Sequence, residues 1–471
     1  MTSSTDAPRA PRSPRSPRAA KPASSTDTDE GVLDEESAGA AHLAPKDAPS
    51  TPPTVAGMPG GALPFGRIPV TGVRPLVDCG ARPAKSVVGE EFVVRARVFR
   101  EGHDAVNATV VLTAPDGGEH YFGMHCDNVG LSEWSATVVA GSTGWWTYRV
   151  EGWSDPYATW MHDAQIKIGA GIDEELMCAE GVLVLERFAE SVRGLDIDAS
   201  SIEQAVDALR DTSRPAADRL AAATSPEVRG LHTLVPLREF VSPTPRYSLL
   251  VERERALYGA WYEMFPRSEG AWRDPETGAW TSGTLRTAAR RLPGIADMLF
   301  DVVYLTPIHP IGTTARKGRN NTLVTQPGDP GSPYAIGSPD GGHDAIHPDL
   351  GDESDLRALV ATLREHGMEL ALDLALQCSP DHPWLREHPE WFEHRPDGSL
   401  KYAENPPKRY QDIHNLDWET SDRKGLWQAI LEVVLHWCEL GATVFRVDNP
   451  HTKPVPFWEW LIEQVRARYP D

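Results

Sequence analysis

The chain has no run approaching the roughly 18 apolar residues that a membrane-spanning helix needs, and only 40% of its residues are hydrophobic. No charged-then-apolar leader opens it, so a soluble cytoplasmic protein without a membrane partner is expected. Basic residues are in short supply: 46 Lys and Arg stand against 68 Asp and Glu, for a net charge of −22. Phosphate backbones are gripped by a Lys and Arg surplus, so no nucleic-acid partner is expected. Cysteine is scarce too. The five present (Cys79, Cys126, Cys178, Cys378 and Cys438) are scattered and show no paired metal spacing. Reduced thiols, no metal site and no cofactor follow. What is abundant is tryptophan, with fifteen residues. Sugar faces stack on such rings, but cores use them as well, and core takes the larger share.

A length of 471 residues makes room for two to four domains. Residues 1–62 are rich in Pro, Ser, Ala and Arg and nearly free of periodic apolar positions, which reads as a disordered arm. Its arginines Arg9, Arg12, Arg15 and Arg18 recur every third position. Residues 66–185 carry short strand patterns such as Glu91–Val98, Ala108–Leu112, Trp134–Val139 and Trp146–Val150, divided by Gly, Asp and Pro turns. Such spacing predicts a β-sandwich. Trp145, Trp146 and Trp153 are read there as core rather than as a sugar platform. Over 186–245 the period turns helical, with Ser200 or Ser201 as a cap and Pro215 in a later first turn, which gives a helical appendage.

From 246 to 471 the rhythm is strand, loop, helix. Strands are expected at Leu257–Met264, Asp301–Leu305, Met368–Leu374 and Thr443–Val447, each followed by a helical pattern, with an insertion at about 379–415. Four β/α units in a row predict a parallel sheet with loops enlarged at one end. A complete (β/α)8 barrel needs about twice as many. The fold class is therefore multidomain: an N-terminal β-sandwich with a helical appendage, then the first half of a (β/α)8 TIM barrel.

The chemistry sits at the strand ends. Arg446-Val447-Asp448-Asn449-Pro450-His451-Thr452-Lys453-Pro454 follows the apolar run Thr443-Val444-Phe445. An Asp at the carboxyl end of such a strand points into the mouth of a parallel sheet. Arg446, two residues earlier, shares its parity, so one positive charge lies beside the carboxylate and keeps it ionised. An ionised, positioned Asp is what a glycosidase-type nucleophile requires. Asp373 ends the preceding strand and orients Arg446 as readily as it touches sugar.

Arg446-x-Asp448, Asp373 and Tyr304-x-x-Pro307 resemble the α-amylase superfamily of retaining glycosidases and transglycosidases. Gln377-Cys378-Ser379-Pro380-Asp381-His382-Pro383-Trp384, Tyr402-Ala403-Glu404-Asn405-Pro406-Pro407-Lys408 with Tyr410-Gln411-Asp412-Ile413, and Asp448 to Pro454 resemble the maltose-1-phosphate maltosyltransferases more closely. Most α-amylases have Asn and His where this chain has Gln377 and Cys378, a departure that fits the subgroup. The resemblance implies that Asp448 is the nucleophile, that Lys317, Gln377, Asp412 and Asn449 bind donor, and that Asn405, Lys408 and Tyr410 contact phosphate. A phosphate leaving group wants cationic and neutral donors, which those residue types supply. The implied substrates are a maltose 1-phosphate donor and an α-1,4-glucan acceptor, and the implied assembly is a homodimer. Other readings are an α-amylase-family hydrolase or isomerase, and a non-catalytic glucan-binding protein. His343 reads as a cap or a packing group as readily as a sugar contact, Glu404 as a bystander and Cys378 as pocket lining.

A retaining transfer also needs an acid/base carboxyl group about 5 Å from the nucleophile. The resemblance implies a glutamate at the end of a fifth barrel strand, and Asp471 stands 23 residues after Asp448, short of that strand. The chain is accordingly expected to be a truncated, inactive fragment.

Overall fold

The computed structural model describes residues 66–470, so the arginine-bearing arm lies outside the described residues. Eight strands open them: β1 Val70–Arg74, β2 Ala84–Val87, β3 Glu91–Val98, β4 Val106–Thr113, β5 Glu119–Gly123, β6 His125–Asn128, β7 Glu133–Val139 and β8 Gly144–Ser154. Five helices follow: α1 Pro156–Gly169, α2 Glu174–Arg193, α3 Ser200–Arg210, α4 Ala216–Ala223 and α5 Pro226–Leu234. The strands β9 Glu239–Pro243 and β10 Tyr247–Glu252 then return to the β region. One sheet has the order β1-β3-β7-β6 and the other β2-β10-β8-β4-β5, with β9 added on β8. Alternate residues of β8 explain the arrangement: Trp146, Tyr148 and Val150 point into a core shared with Val94, Val110, Leu112, Val138 and Leu249.

Two boundaries differ from the sequence reading. The sandwich assigned to 66–185 gives way to helix at Pro156, where Asp155 caps α1 through Ala158 N–H at 2.9 Å. Tyr157, Trp160, Ala164 and Ile168 carry the helical period, and their aromatic content masks it among the neighbouring strands. At the other end, β10 lies inside the span assigned to 246–471 yet belongs to the sandwich, pairing in parallel with β2 and antiparallel with β8. Nor do Ser200 and Ser201 cap α3: Ala199 holds the cap position, and Asp198 accepts the Ser200 N–H at 2.9 Å. The helices enclose their own core of Tyr157, Trp160, Leu185, Phe188, Ile202 and Leu209. Gly181 lets α2 approach α1, since a Cβ there would meet the Trp160 ring at 2.3 Å.

The remaining residues build a second sheet system. In chain order the elements are β11 Trp261–Met264, the hairpin β12 Trp272–Arg273 and β13 Trp280–Thr281, α6 Leu285–Ala289, α7 Leu292–Asp297, β14 Val302–Leu305 and α8 Glu353–Glu365. Next are β15 Glu369–Leu374, β16 Gln377–Cys378, α9 Pro383–Glu387, β17 Tyr402–Asn405, β18 Lys408–Asn415, α10 Arg423–Leu440, β19 Val444–Val447 and α11 Val455–Arg466. Strands β11, β14, β15 and β19 are hydrogen-bonded in that order and all run parallel. The span read as an insertion supplies α9, β17 and β18, and the two strands join β16 in a three-stranded sheet of order β16-β18-β17.

Parity sorts the parallel sheet. Val303, Leu305, Leu370 and Leu372 pack on Leu356, Leu359, Leu363 and Trp437 of α8 and α10. Val302, Tyr304 and Ala371 pack with Val444 on the opposite face. Asp373 and Arg446 continue that second face toward the carboxyl ends of the strands. Each buried aliphatic side chain on the helical face contributes about 1.5–3 kcal/mol, which fixes the register and hence the position of the polar residues. Gly441, at φ +107°, ends α10 and turns the chain into β19; a Cβ there would strike Val360 Cγ1 at 2.8 Å.

Candidate active site

Register places Asp373 of β15 directly across from Arg446 of β19. Arg446 Nη1 donates to Asp373 Oδ2 at 3.2 Å and to Asp448 Oδ1 at 2.8 Å, so one guanidinium serves two carboxylates. Asn449 Nδ2 donates to the other Asp448 oxygen at 2.9 Å. Both oxygens of Asp448 are therefore held by donors, and its side chain keeps 17% exposure. That combination leaves a fixed carboxylate within reach of a ligand.

Asp373 is different. Its side chain has no exposure, and it accepts from the Tyr304 hydroxyl as well as from Tyr334 Oη at 2.9 Å. Burial raises its carboxyl above the usual range, and the two hydroxyls with Arg446 work against that rise. Burial likewise pushes the Tyr334 hydroxyl up to about 12, which keeps it a donor. Burial opposes the Arg446 charge, yet Asp373 and Asp448 hold it above its ordinary value. Asp373 thus braces Arg446 from below, and Asp448 faces outward.

Gln377 joins the same network, since its Nε2 donates to the Tyr334 carbonyl at 3.4 Å. Lys317 and Asp412 form a neighbouring buried cluster. Lys317 Nζ donates to Gln411 Oε1 at 2.6 Å, and Asp412 Oδ1 has no hydrogen-bond partner. Burial raises the Asp412 carboxyl, with Lys317 opposing. Asn405, Lys408 and Tyr410 lie on the exposed β17–β18 hairpin, where Asn405 pairs with Lys408 and Ala403 with Tyr410. Among the described residues, no side-chain hydrogen bond joins Asn405, Lys408 or Tyr410 to the Asp448 network.

His343, Cys378 and His382 are buried with their ligating atoms within 4.8 Å of one another. The hydrogen bonds argue against a metal there. Trp384 N–H donates to His382 Nδ1 at 3.1 Å, which leaves the His382 proton on Nε2. That proton points to His343 Nδ1 at 3.0 Å, and His343 Nε2 then donates to the Ala375 carbonyl at 2.9 Å. All four ring nitrogens are used by two neutral rings. Burial lowers His343 to about 4 and His382 to about 2, in keeping with neutral imidazoles. Cys378 is packed in the core with Leu374, Trp391 and Phe392, and burial pushes its thiol well up. The pair acts as a strut from the end of β15 to the start of α9. Trp146 and Trp153 are buried, and Trp153 Nε1 donates to Thr109 Oγ1 at 3.0 Å; Trp145 alone of the three is exposed.

Residues 66–253 match the family model for alpha-1,4-glucan:maltose-1-phosphate maltosyltransferase, domain N/S. Over 407 residues the chain is 56% identical to alpha-1,4-glucan:maltose-1-phosphate maltosyltransferase 1 of Streptomyces coelicolor, covering 86% of this chain and 59% of that protein. Over 86% of its length the chain is thus similar to alpha-1,4-glucan:maltose-1-phosphate maltosyltransferases. The maltosyltransferase of Mycobacterium tuberculosis H37Rv is 46% identical over 433 residues, covering 86% of this chain and 61% of that one. The chain thus spans about three fifths of the length of these curated relatives. Among solved structures, an alpha-amylase from Lactobacillus plantarum aligns with a TM-score of 0.36 and 30% identity over 45% of this chain and 43% of that one. The parallel β/α order described above stands independently of that likeness.

Within this site, sequence reasoning passed over Tyr334 and Lys453. Tyr334 lies in the long loop after β14, where no periodicity marks it. Lys453 belongs to the quoted motif, but a motif does not say that its side chain folds back: Nζ lies 3.4 Å from the Asp448 carbonyl and 3.3 Å from that of Asn449.

Proposed function

We propose that this chain carries the donor-handling part of a retaining maltosyltransferase, which moves maltosyl units from α-maltose 1-phosphate to the non-reducing end of an α-1,4-glucan. The four parallel β/α units are read as part of a (β/α)8 barrel with the site at the carboxyl ends of its strands. The single observation that carries the reading is the Asp448 carboxylate, gripped by Arg446 at 2.8 Å and Asn449 at 2.9 Å. The likeness to maltosyltransferases over 86% of the chain supports it.

In the first displacement an Asp448 oxygen attacks the anomeric carbon. The carbon–oxygen bond to phosphate breaks, and phosphate leaves with the electron pair, giving a β-maltosyl ester. In the second, the glucan 4-hydroxyl attacks the same carbon, Asp448 leaves as carboxylate and the α configuration is restored. The hydroxyl proton passes to a base, a role assigned to none of the described residues. Arg446 stabilises Asp448 whenever it is anionic, and Asp373 keeps Arg446 in place. Lys317, Gln377, Asp412 and Asn449 are assigned to donor binding, and Asn405, Lys408 and Tyr410 to its phosphate. A homodimer formed through the N-terminal part belongs to the same reading.

The test is phosphate release from maltose 1-phosphate, with glycogen as acceptor, by the native protein purified from its source cells. Wild type is expected to release phosphate and Asp448→Asn to lose that activity by at least about 10⁴-fold. Equal release by both proteins, or maltose formed by water alone, overturns the assignment.

A further inference from the structure

Asp448 N–H makes the last ladder bond of β19, to the Leu374 carbonyl at 3.1 Å. Beyond it Asn449 adopts the left-handed conformation, at φ +48° and ψ +54°. This region is unfavourable for non-glycine residues, and asparagine tolerates it best of the common types. Pro450–Thr452 then form a 3₁₀ turn. Three successive carbonyls of this turn receive side-chain donors from further along the chain. Thr452 Oγ1 donates to the Asn449 carbonyl at 2.9 Å, and Trp458 Nε1 to that of Pro450 at 3.0 Å. Lys453 Nζ spans Asp448 and Asn449, so the Asn449 carbonyl takes two donors.

We propose that Lys453 is a positioning residue for the nucleophile: its ammonium ties the carbonyls of Asp448 and Asn449 together and so holds the strained turn that aims the Asp448 carboxylate. Asn449 Nδ2 donates to Asp448 Oδ2 at 2.9 Å from this conformation, so slackening the turn is expected to free one carboxylate oxygen as well as the main chain. A neutral donor at the same place would hold the carbonyls less firmly, because charge-assisted bonds are about twice as strong as neutral ones. Lys453 is partly buried, and that burial lowers its ammonium to about 8 while Asp448 opposes the fall. The lysine touches carbonyls and none of the side chains assigned to donor binding, so its loss is expected to act on turnover rather than on affinity.

The inference rests on the assignment of Asp448 as nucleophile, and two readouts keep the failures apart. The first is independent of activity: amide hydrogen exchange of the peptide spanning 448–453 in wild type and Lys453→Met. Exchange is expected to be several-fold faster in the variant there, with the β14 and β15 peptides unchanged. The second is phosphate release from maltose 1-phosphate by the native protein. For Lys453→Met, kcat is expected to fall by about 10²-fold, the usual consequence of a misplacement near 1 Å, with KM within about twofold. Lys453→Arg is expected to recover most of the loss, and Lys453→Gln, which keeps a neutral donor, to lie between and to serve if the methionine variant does not fold. Unchanged exchange at 448–453 overturns the proposal whatever the activity. A raised KM with unchanged kcat also overturns it, because the lysine is then a donor contact. If wild type releases no phosphate, the functional reading fails and the exchange result alone decides the role of Lys453 in the turn.

Discussion

Tyr334 donates its hydroxyl to Asp373 Oδ2 at 2.9 Å across 39 positions of sequence, and so ties the long loop after β14 to the floor of the site. The same residue receives Gln377 through its carbonyl. One residue, through its carbonyl and its hydroxyl, thus connects the group assigned to donor binding with the carboxylate that braces Arg446.

Asp373 is for this reason expected to matter to folding as much as to chemistry. Asp373→Asn removes the charge facing Arg446 and leaves two tyrosine hydroxyls sharing a neutral amide. Breaking one side of such a buried arrangement costs about 3–5 kcal/mol, and the retained amide offsets part of that. Urea denaturation is expected to show a loss of about 2–4 kcal/mol. An unchanged midpoint would mean that Asp373 is not the brace described.

Much of this arrangement is legible in the sequence because strand parity is a strict rule. Arg446 and Asp448 stand two apart after an apolar run, and Asp373 ends another, so their common face follows from the period of two. The parts that were not legible depend on distant pairing. Tyr247–Glu252 reads as the approach to the barrel, and only its parallel register with Ala84–Val87 places it in the sandwich. Helix α1 was masked because its first buried positions, Tyr157 and Trp160, are aromatic like those of the strands before it. Tyr334 sits in a loop without period, and its role follows from where the loop is folded back. The hairpin of β17 and β18 hid in a stretch rich in Pro and charge, where two short strands give too few alternations to register.

His309, His343 and His382 make acid stability a direct check on the buried histidines. Burial lowers them to about 3, 4 and 2 respectively, below the ordinary value of 6.5. The unfolded chain binds protons at these rings as pH falls below 6.5 and the folded one does not, so stability rises with pH across this window and falls on acidification. Three such rings give a slope of roughly 4 kcal/mol per pH unit near pH 5.5. Urea denaturation at pH 6.5 and 5.0 measures it, and His309→Gln is expected to reduce the slope. A flat profile over that range would show that the rings are charged or solvated in the folded protein.

Asp412 separates function from stability. Its Oδ1 is buried without a partner, which disfavours the empty site and leaves an acceptor for a ligand hydroxyl. Asp412→Asn is expected to weaken maltose 1-phosphate binding by tenfold or more, since hydrogen bonds to charged groups contribute about 1.5–3 kcal/mol. The same change is expected to leave the urea midpoint unchanged or raise it, because a costly buried charge is gone. Calorimetric titration and denaturation on one preparation test both halves. Full affinity in the variant would remove Asp412 from the donor site.

The most direct test of the account is to find where the sugar becomes attached. The native protein would be incubated with a 2-fluoro maltosyl fluoride, whose electron-poor ring slows release of a covalent intermediate, and then digested and mapped by mass spectrometry. The predicted result is one maltosyl-type adduct on the peptide holding Asp448, absent in Asp448→Asn. An adduct on another carboxylate, or donor consumed without any adduct, would contradict Asp448 as the nucleophile.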